Sequence, residues 1–139
     1  MIIIKATFFK GVWTLDMATT YPNASFVGVD ILQTFPSEIK PDNVKFMLGN
    51  VISGLNFKSN YFDYIFVRHM KFDIPINDWP NVLDELLRVL KPNSWLEIVD
   101  NVDQFICEDD DKIKKHPNDK IKEYLNNGIF IFMSIHIYI

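Results

Sequence analysis

The sequence predicts an α/β protein, a doubly wound parallel sheet of about five strands with helices on both faces. Three observations carry that expectation. Short continuous apolar runs alternate with segments of helical periodicity along the chain, the pattern of strands joined by helical crossovers. The strand runs are apolar throughout rather than alternating, as expected of strands covered on both faces. At 139 residues, with 48% hydrophobic and 23% charged, the chain is long enough for one domain with a proper core. Twelve Phe point to an aromatic-rich interior.

Taken in order, Ile2 to Ile4, extending toward Phe9, is the first strand. From Gly11 to Tyr21 the residues Trp13, Met17 and Tyr21 recur every fourth position, one face of a helix that Pro22-Asn23 ends. Phe26-Val27-Gly28-Val29, stopped by Asp30, is the second strand. The stretch from Asp30 to Asn43 holds two prolines and is too short for a good helix, so this crossover is expected to be irregular. Val44 to Leu48 is a third strand, ended by Gly49-Asn50, and Phe62 to Val67 a fourth. The clearest helix then carries Trp79, Val82, Leu83, Leu86, Leu87 and Leu90, with Asn77 or Asp78 as cap and Pro80 in the first turn. Lys91-Pro92-Asn93 stops it, and Trp95 to Val99 is a fifth strand. Beyond Asp100 the pattern degrades. Glu108 to Asp111 and the lysines behind them read as a solvated turn and weak helix, and the apolar run Ile129 to Ile139 finds no place.

Several function classes recede on composition. A net charge of −4 and no Lys/Arg block give no electrostatic reason to expect nucleic acid. Cys107 is the single cysteine, so no intrachain disulfide and no cysteine-based zinc site can form. The opening Met1 to Lys5 lacks the basic region and cleavage site of a secretory signal. The apolar tail is short of the ~20 residues a membrane helix needs, so no membrane partner and a cytoplasmic location are expected. No Ser-His-Asp order, metal-ligand cluster or Gly-Lys-Ser/Thr loop occurs, and no metal is expected.

In an open parallel sheet, ligands bind beyond the carboxyl ends of the strands, near the switch in strand order. Asp30 ends the second strand, where a carboxylate can accept both hydroxyls of a ribose; an ordinary strand-end aspartate facing water would look the same. Asn50 follows the third strand, where its amide can read an adenine edge, or serve as a turn residue after Gly49. Asp63 enters the fourth strand and is expected to bond nearby backbone. Arg68 and His69 leave that strand at the functional rim, and His69 is the candidate base. His116 and His136 lie in the unassigned tail.

In their order and spacing these pieces resemble the class I S-adenosylmethionine-dependent methyltransferase domain, of the kind found in small-molecule methyltransferases. The matching blocks are Gly11-Val12-Trp13-Thr14, Phe26-Val27-Gly28-Val29-Asp30, Val44-Lys45-Phe46 leading to Gly49-Asn50-Val51, and Phe62-Asp63-Tyr64-Ile65-Phe66. The last runs from Val82 through Leu86-Leu87-Arg88-Val89-Leu90-Lys91-Pro92 to Trp95-Leu96-Glu97. The resemblance spans Gly11 to Asp100 and implies a Rossmann-like sheet, residues 1–103 as a partial cofactor-binding domain and 104–139 as an unassigned tail. It also implies S-adenosylmethionine as cofactor and a small-molecule methyl acceptor. On that similarity Gly11, Asp30, Ile31, Asn50 and Val51 bind the cofactor: Asp30 the ribose, Ile31 the adenine face, Asn50-Val51 the adenine edge. Arg68 and His69 would stand near the transferred methyl.

The departures define the other expectations. The family's first loop reads Asp/Glu-x-Gly-x-Gly-x-Gly; aligned on Gly11, this chain has Lys5, Thr7 and Phe9 in place of the acid and the first two glycines. Lys-Pro-Gly-Gly is here Lys91-Pro92-Asn93-Ser94, and Asn tolerates the left-handed region. No segment matches the family's sixth and seventh strands, so the domain is expected to be truncated at both ends. The leading expectation is a methyltransferase-domain protein with an impaired glycine loop. The alternative is a non-catalytic remnant serving as a binding or dimerisation module, self-associating through an exposed sheet edge. A nicotinamide-dependent oxidoreductase is the third, disfavoured by the absent Gly-x-Gly-x-x-Gly.

Overall fold

A computed structural model describes residues 1–6, 11–36, 38–70, 72–75, 77–101 and 130–136. The elements run β1 (Ile2–Ala6), α1 (Val12–Thr20), β2 (Ser25–Asp30), β3 (Val44–Leu48), β4 (Phe62–Arg68), α2 (Trp79–Val89), β5 (Leu90–Asn101) and β6 (Phe130–His136). The strands form one sheet in the order β3-β2-β1-β4-β5-β6, every neighbouring pair parallel. The chain works outward from β1 to β3, then returns to the other side of β1 for β4, which puts the topological switch between β1 and β4.

The doubly wound architecture follows from how neighbouring apolar residues divide between two faces. Ile4, Val27 and Val29 join the larger core, where they meet Val82, Leu83, Leu86 and Leu87 of α2. Ile3, Phe26 and Val44 point the other way and pack with Ala18 of α1, with Trp13 and Met17 beside them. Among the described residues, one helix covers each face. Asn43 fastens α1 to the sheet, its Nδ2 donating to the carbonyls of Ala18 and Ala24 at 3.0 and 2.9 Å. As expected, the described residues between β2 and β3 form no helix.

Three particulars differ from the sequence-based expectation. Tyr21 is half exposed and sits past the helix end, because the backbone leaves helical geometry there. Leu90 is the first residue of β5 rather than the last of α2, although it is fully buried like the helix face preceding it. The apolar tail that found no place supplies β6, paired with β5 from Trp95↔Phe130 to Asn101↔His136. Segment 104–139 therefore contributes a sheet strand. Cys107, His116, Thr7 and Phe9 lie outside the described residues, and of His136 only the backbone is described.

Helix α2 runs into β5 with no intervening loop. Two of its terminal carbonyls, which an α-helix leaves without intrahelical partners, are taken by the chain leading into β4: Asn60 N–H donates to Arg88 O and Tyr61 N–H to Val89 O, at 2.9 and 2.8 Å. The register with β4 shifts between Phe62 and Tyr64, absorbing Pro92 and Asn93. Asn93 sits at φ 58°, the left-handed conformation its side chain tolerates. Asp63 bonds backbone as its position suggested: Oδ2 accepts the Ile2 N–H at 2.6 Å, while Oδ1 pairs with Lys91 Nζ at 2.6 Å.

Candidate functional site

A pocket opens beyond the carboxyl ends of β2 and β3, lined by Asp30 and Ile31, Gly49 to Ile52, and Met70, Asp73 and Ile74. Four of the residues singled out from sequence, Asp30, Ile31, Asn50 and Val51, meet in it. Asp30 is buried, and its Oδ1 accepts the Leu32 N–H at 2.9 Å, which closes a short turn and fixes the carboxylate. Its Oδ2 has no partner among the described residues. Ile31 stands half exposed at the pocket mouth, and Val51 is buried in its wall.

Asn50 both turns the chain and faces the pocket. Its Oδ1 accepts the Ile52 N–H at 3.0 Å, its carbonyl accepts the Ser53 N–H at 3.2 Å, and it bridges to Gly54. With the carbonyl end of the amide committed to its own turn, the Nδ2 end is the one it can offer a ligand. Met70, Asp73 and Ile74 line the same pocket and were not singled out from sequence. They follow β4 directly, and the rule that ligands bind after strand ends was the signal that could have found them.

Gly11, Arg68 and His69 stand apart from that lining. Gly11 opens α1 at φ 70°, and a Cβ there would lie 2.5 Å from the Phe46 ring, so both its conformation and its surroundings require glycine. Arg68 and His69 sit at the end of β4. His69 has φ 56°, uncommon for a side chain of its size, and its N–H is held by Val99 O at 2.9 Å. Arg68 Nε donates to His69 Nε2 at 3.0 Å. Next to them, Asp100 Oδ2 accepts the Met70 N–H at 2.9 Å, tying the pocket-lining segment to the end of β5.

Lys5 is almost fully buried. Its Nζ lies 5.1 Å from the Trp13 ring centre and 5.5 Å from that of Phe66. Burial, and secondarily the positive charge of Arg68, lower its pKa from 10.5 to about 8. Among the described residues, no cluster of His, Cys, Asp or Glu could hold a metal ion. None of the described helices is long and apolar enough to cross a membrane.

The chain matches the model of the methyltransferase domain over residues 8–93 and belongs to that family. A methyltransferase of Strobilurus tenacellus, Str2, is 29% identical over 68% of this chain and 33% of its own length. The secondary metabolism regulator LaeA of Aspergillus niger is 31% identical over 71% of this chain and 26% of its own. Among solved structures, PKMT2 from Rickettsia typhi in complex with AdoHcy is similar with a TM-score of 0.57. It is 25% identical over 67% of this chain and 19% of its own. The chain thus spans about a third of the length of the curated relatives it matches.

Proposed function

We propose that this chain binds the adenosine half of S-adenosylmethionine and acts in methyl transfer to a small-molecule acceptor. The observation that carries the reading is the convergence of Asp30, Ile31, Asn50 and Val51 on one pocket at the carboxyl edge of the sheet. Their chemistry suits an adenosine. The fixed Asp30 carboxylate keeps Oδ2 for ribose hydroxyls. Ile31 and Val51 offer apolar surface to a flat base, and Asn50 Nδ2 a donor to a ring nitrogen. When bound, the cofactor supplies an electrophilic methyl on a sulfonium. This chain's residues would orient it, with Arg68 and His69 at the β4 rim placed to handle an acceptor's proton. Relatives named as methyltransferases support the reading.

A second reading, a non-catalytic module that keeps the sheet and binds a partner, is favoured by Lys5. Its amine, wedged between Trp13 and Phe66, stands where the family places an acid, which disfavours a cationic ligand group at the end of β1. Calorimetric titration with S-adenosylmethionine and S-adenosylhomocysteine separates the two. Micromolar binding that Asp30→Ala weakens by roughly ten- to a hundredfold, the scale of a lost charge-assisted hydrogen-bond pair, supports the cofactor reading. No binding by folded protein hands the case to the module.

A further inference from the structure

The turn that presents Asn50 and Val51 is anchored from outside the pocket. Between β3 and β4, the chain at Leu55 to Asn60 is bound to two α2 residues spaced i,i+3. Glu85 Oε1 accepts the Leu55 N–H at 2.6 Å. Arg88 Nη2 donates to Leu55 O at 3.0 Å and Nη1 to Phe57 O at 2.8 Å, with Ser59 Oγ at 3.4 Å. The two side chains lock each other in a fork, Nε to Oε2 and Nη2 to Oε1, both at 2.7 Å. Each partner holds the other's charge in place: the Arg88 hydrogen bond keeps the Glu85 carboxyl below its usual range, and Glu85 raises the guanidinium.

The Asn50–Leu55 turn is thus pinned at both ends. Gly49 N–H bonds Asp30 O at 2.9 Å on the β3 side, and Glu85 with Arg88 grips Leu55 on the other. Inside it, Gly54 runs through φ 100° and is bridged to Asn50, so the placement of Leu55 is passed through Gly54 to the Asn50 backbone. Most of the fork's donors and acceptors go to loop backbone, an arrangement that fixes position more than it adds ion-pair stability.

We propose that Glu85 and Arg88 are positioning residues for base recognition, holding Asn50 and Val51 so that the site selects a purine with an unprotonated ring nitrogen at the edge Asn50 reads. Adenine presents an acceptor there; hypoxanthine carries an N–H that would oppose the Asn50 donor. The inference rests on the adenosine reading above.

The test titrates S-adenosylhomocysteine and S-inosylhomocysteine into the wild-type chain, a Glu85→Arg/Arg88→Glu swap and Arg88→Lys. The swap keeps an ion pair on α2. A glutamate at 88 cannot donate to the Leu55 and Phe57 carbonyls, and an arginine at 85 cannot accept from the Leu55 N–H. The expected result is a swapped protein with wild-type circular dichroism, about tenfold weaker adenosyl binding and an adenosyl-to-inosyl preference falling toward one. Arg88→Lys, which keeps the charge but not the fork, should lose selectivity in the same direction, and it decides the matter if the swap does not fold. Wild-type affinity and selectivity in a folded swap or in Arg88→Lys overturns the positioning role alone. A wild-type chain that binds neither ligand overturns the adenosine reading, and this inference with it.

Discussion

Arg68 Nε donates to the Nε2 of its neighbour His69 at 3.0 Å, so the nitrogen facing the guanidinium carries no proton and the imidazole is held as the Nδ1–H tautomer. A proton acceptor at Nε2 must first leave Arg68. Nitrogen-15 correlation of the His69 ring should show Nε2 as the acceptor in the wild type. In Arg68→Met the Nε2 signal should move from its wild-type position. An unchanged ring pattern would mean Arg68 does not set the state of the imidazole.

Lys5 predicts a stability that rises with pH. Its pKa is about 8 in the fold and 10.5 when unperturbed, so between these values the unfolded chain binds more protons than the folded one. The penalty of burying the ammonium is therefore full below about 8 and fades toward 10.5. Lys5→Met should stabilise the protein at pH 7 by on the order of 1–2 kcal/mol, allowing for residual hydration of the amine. The gain should shrink by pH 10. Denaturant melts at both pH values measure it, and a pH-independent gain would assign it to packing.

Asp63 has the opposite dependence. Its carboxyl is held low first by the Lys91 hydrogen bond and then by the Ile2 N–H, against an opposing contribution from burial. The stabilisation is present above the unperturbed value of 3.8 and is lost as pH falls through the lower folded value. Both partners are about a third exposed, so Asp63→Asn should cost only about 1 kcal/mol at pH 7. Wild type and variant should converge in acid. A gap that persists there would place the effect in the Ile2 contact alone.

Gly28 in β2 lies beneath the ring of Phe46, as Gly11 does, and a Cβ at position 28 would overlap the Cδ1 atom of that ring. The ring is further constrained by stacking on Phe35, centroids 5.0 Å apart. Gly28→Ala should therefore destabilise by about 1–3 kcal/mol through overpacking. Adding Phe46→Leu should recover part of that loss, a non-additive outcome expected of residues in contact. Strict additivity in the double variant would show that the ring moves aside freely.

Periodicity was most informative where burial is continuous. Val82, Leu83, Leu86 and Leu87 mark α2 because a helix repeats its buried face every three or four residues. The same rule overran by one at Leu90, since the first buried residue of an abutting strand falls in helical register by coincidence. The tail failed for a different reason. An unbroken apolar run such as Phe130 to Met133 carries no alternation, and its partner β5 lies far back in the chain, so nothing local announces the pairing. Strand-end topology pointed to Asp30 and Asn50, the family resemblance added Ile31 and Val51, and the four line one pocket. The ring pair around Lys5, and the loop gripped by Glu85 and Arg88, depend on which side chains meet across the fold, and spacing does not encode that. Met70, Asp73 and Ile74 lie between these cases, after a strand whose end was already marked by Arg68 and His69.

The seam at Val89–Leu90, where α2 becomes β5 without a connecting residue, leaves the molecule with no slack at that point. One added residue would rotate the strand's side chains to the opposite face of the sheet and pull the Arg88 and Val89 carbonyls from Asn60 and Tyr61. The helix-free stretch between β2 and β3 has its bends exposed to solvent and can take up such changes in length. Tolerance to insertion should therefore differ sharply between the two, and a tag or crosslinkable loop belongs in the stretch after Leu32, never at the helix exit.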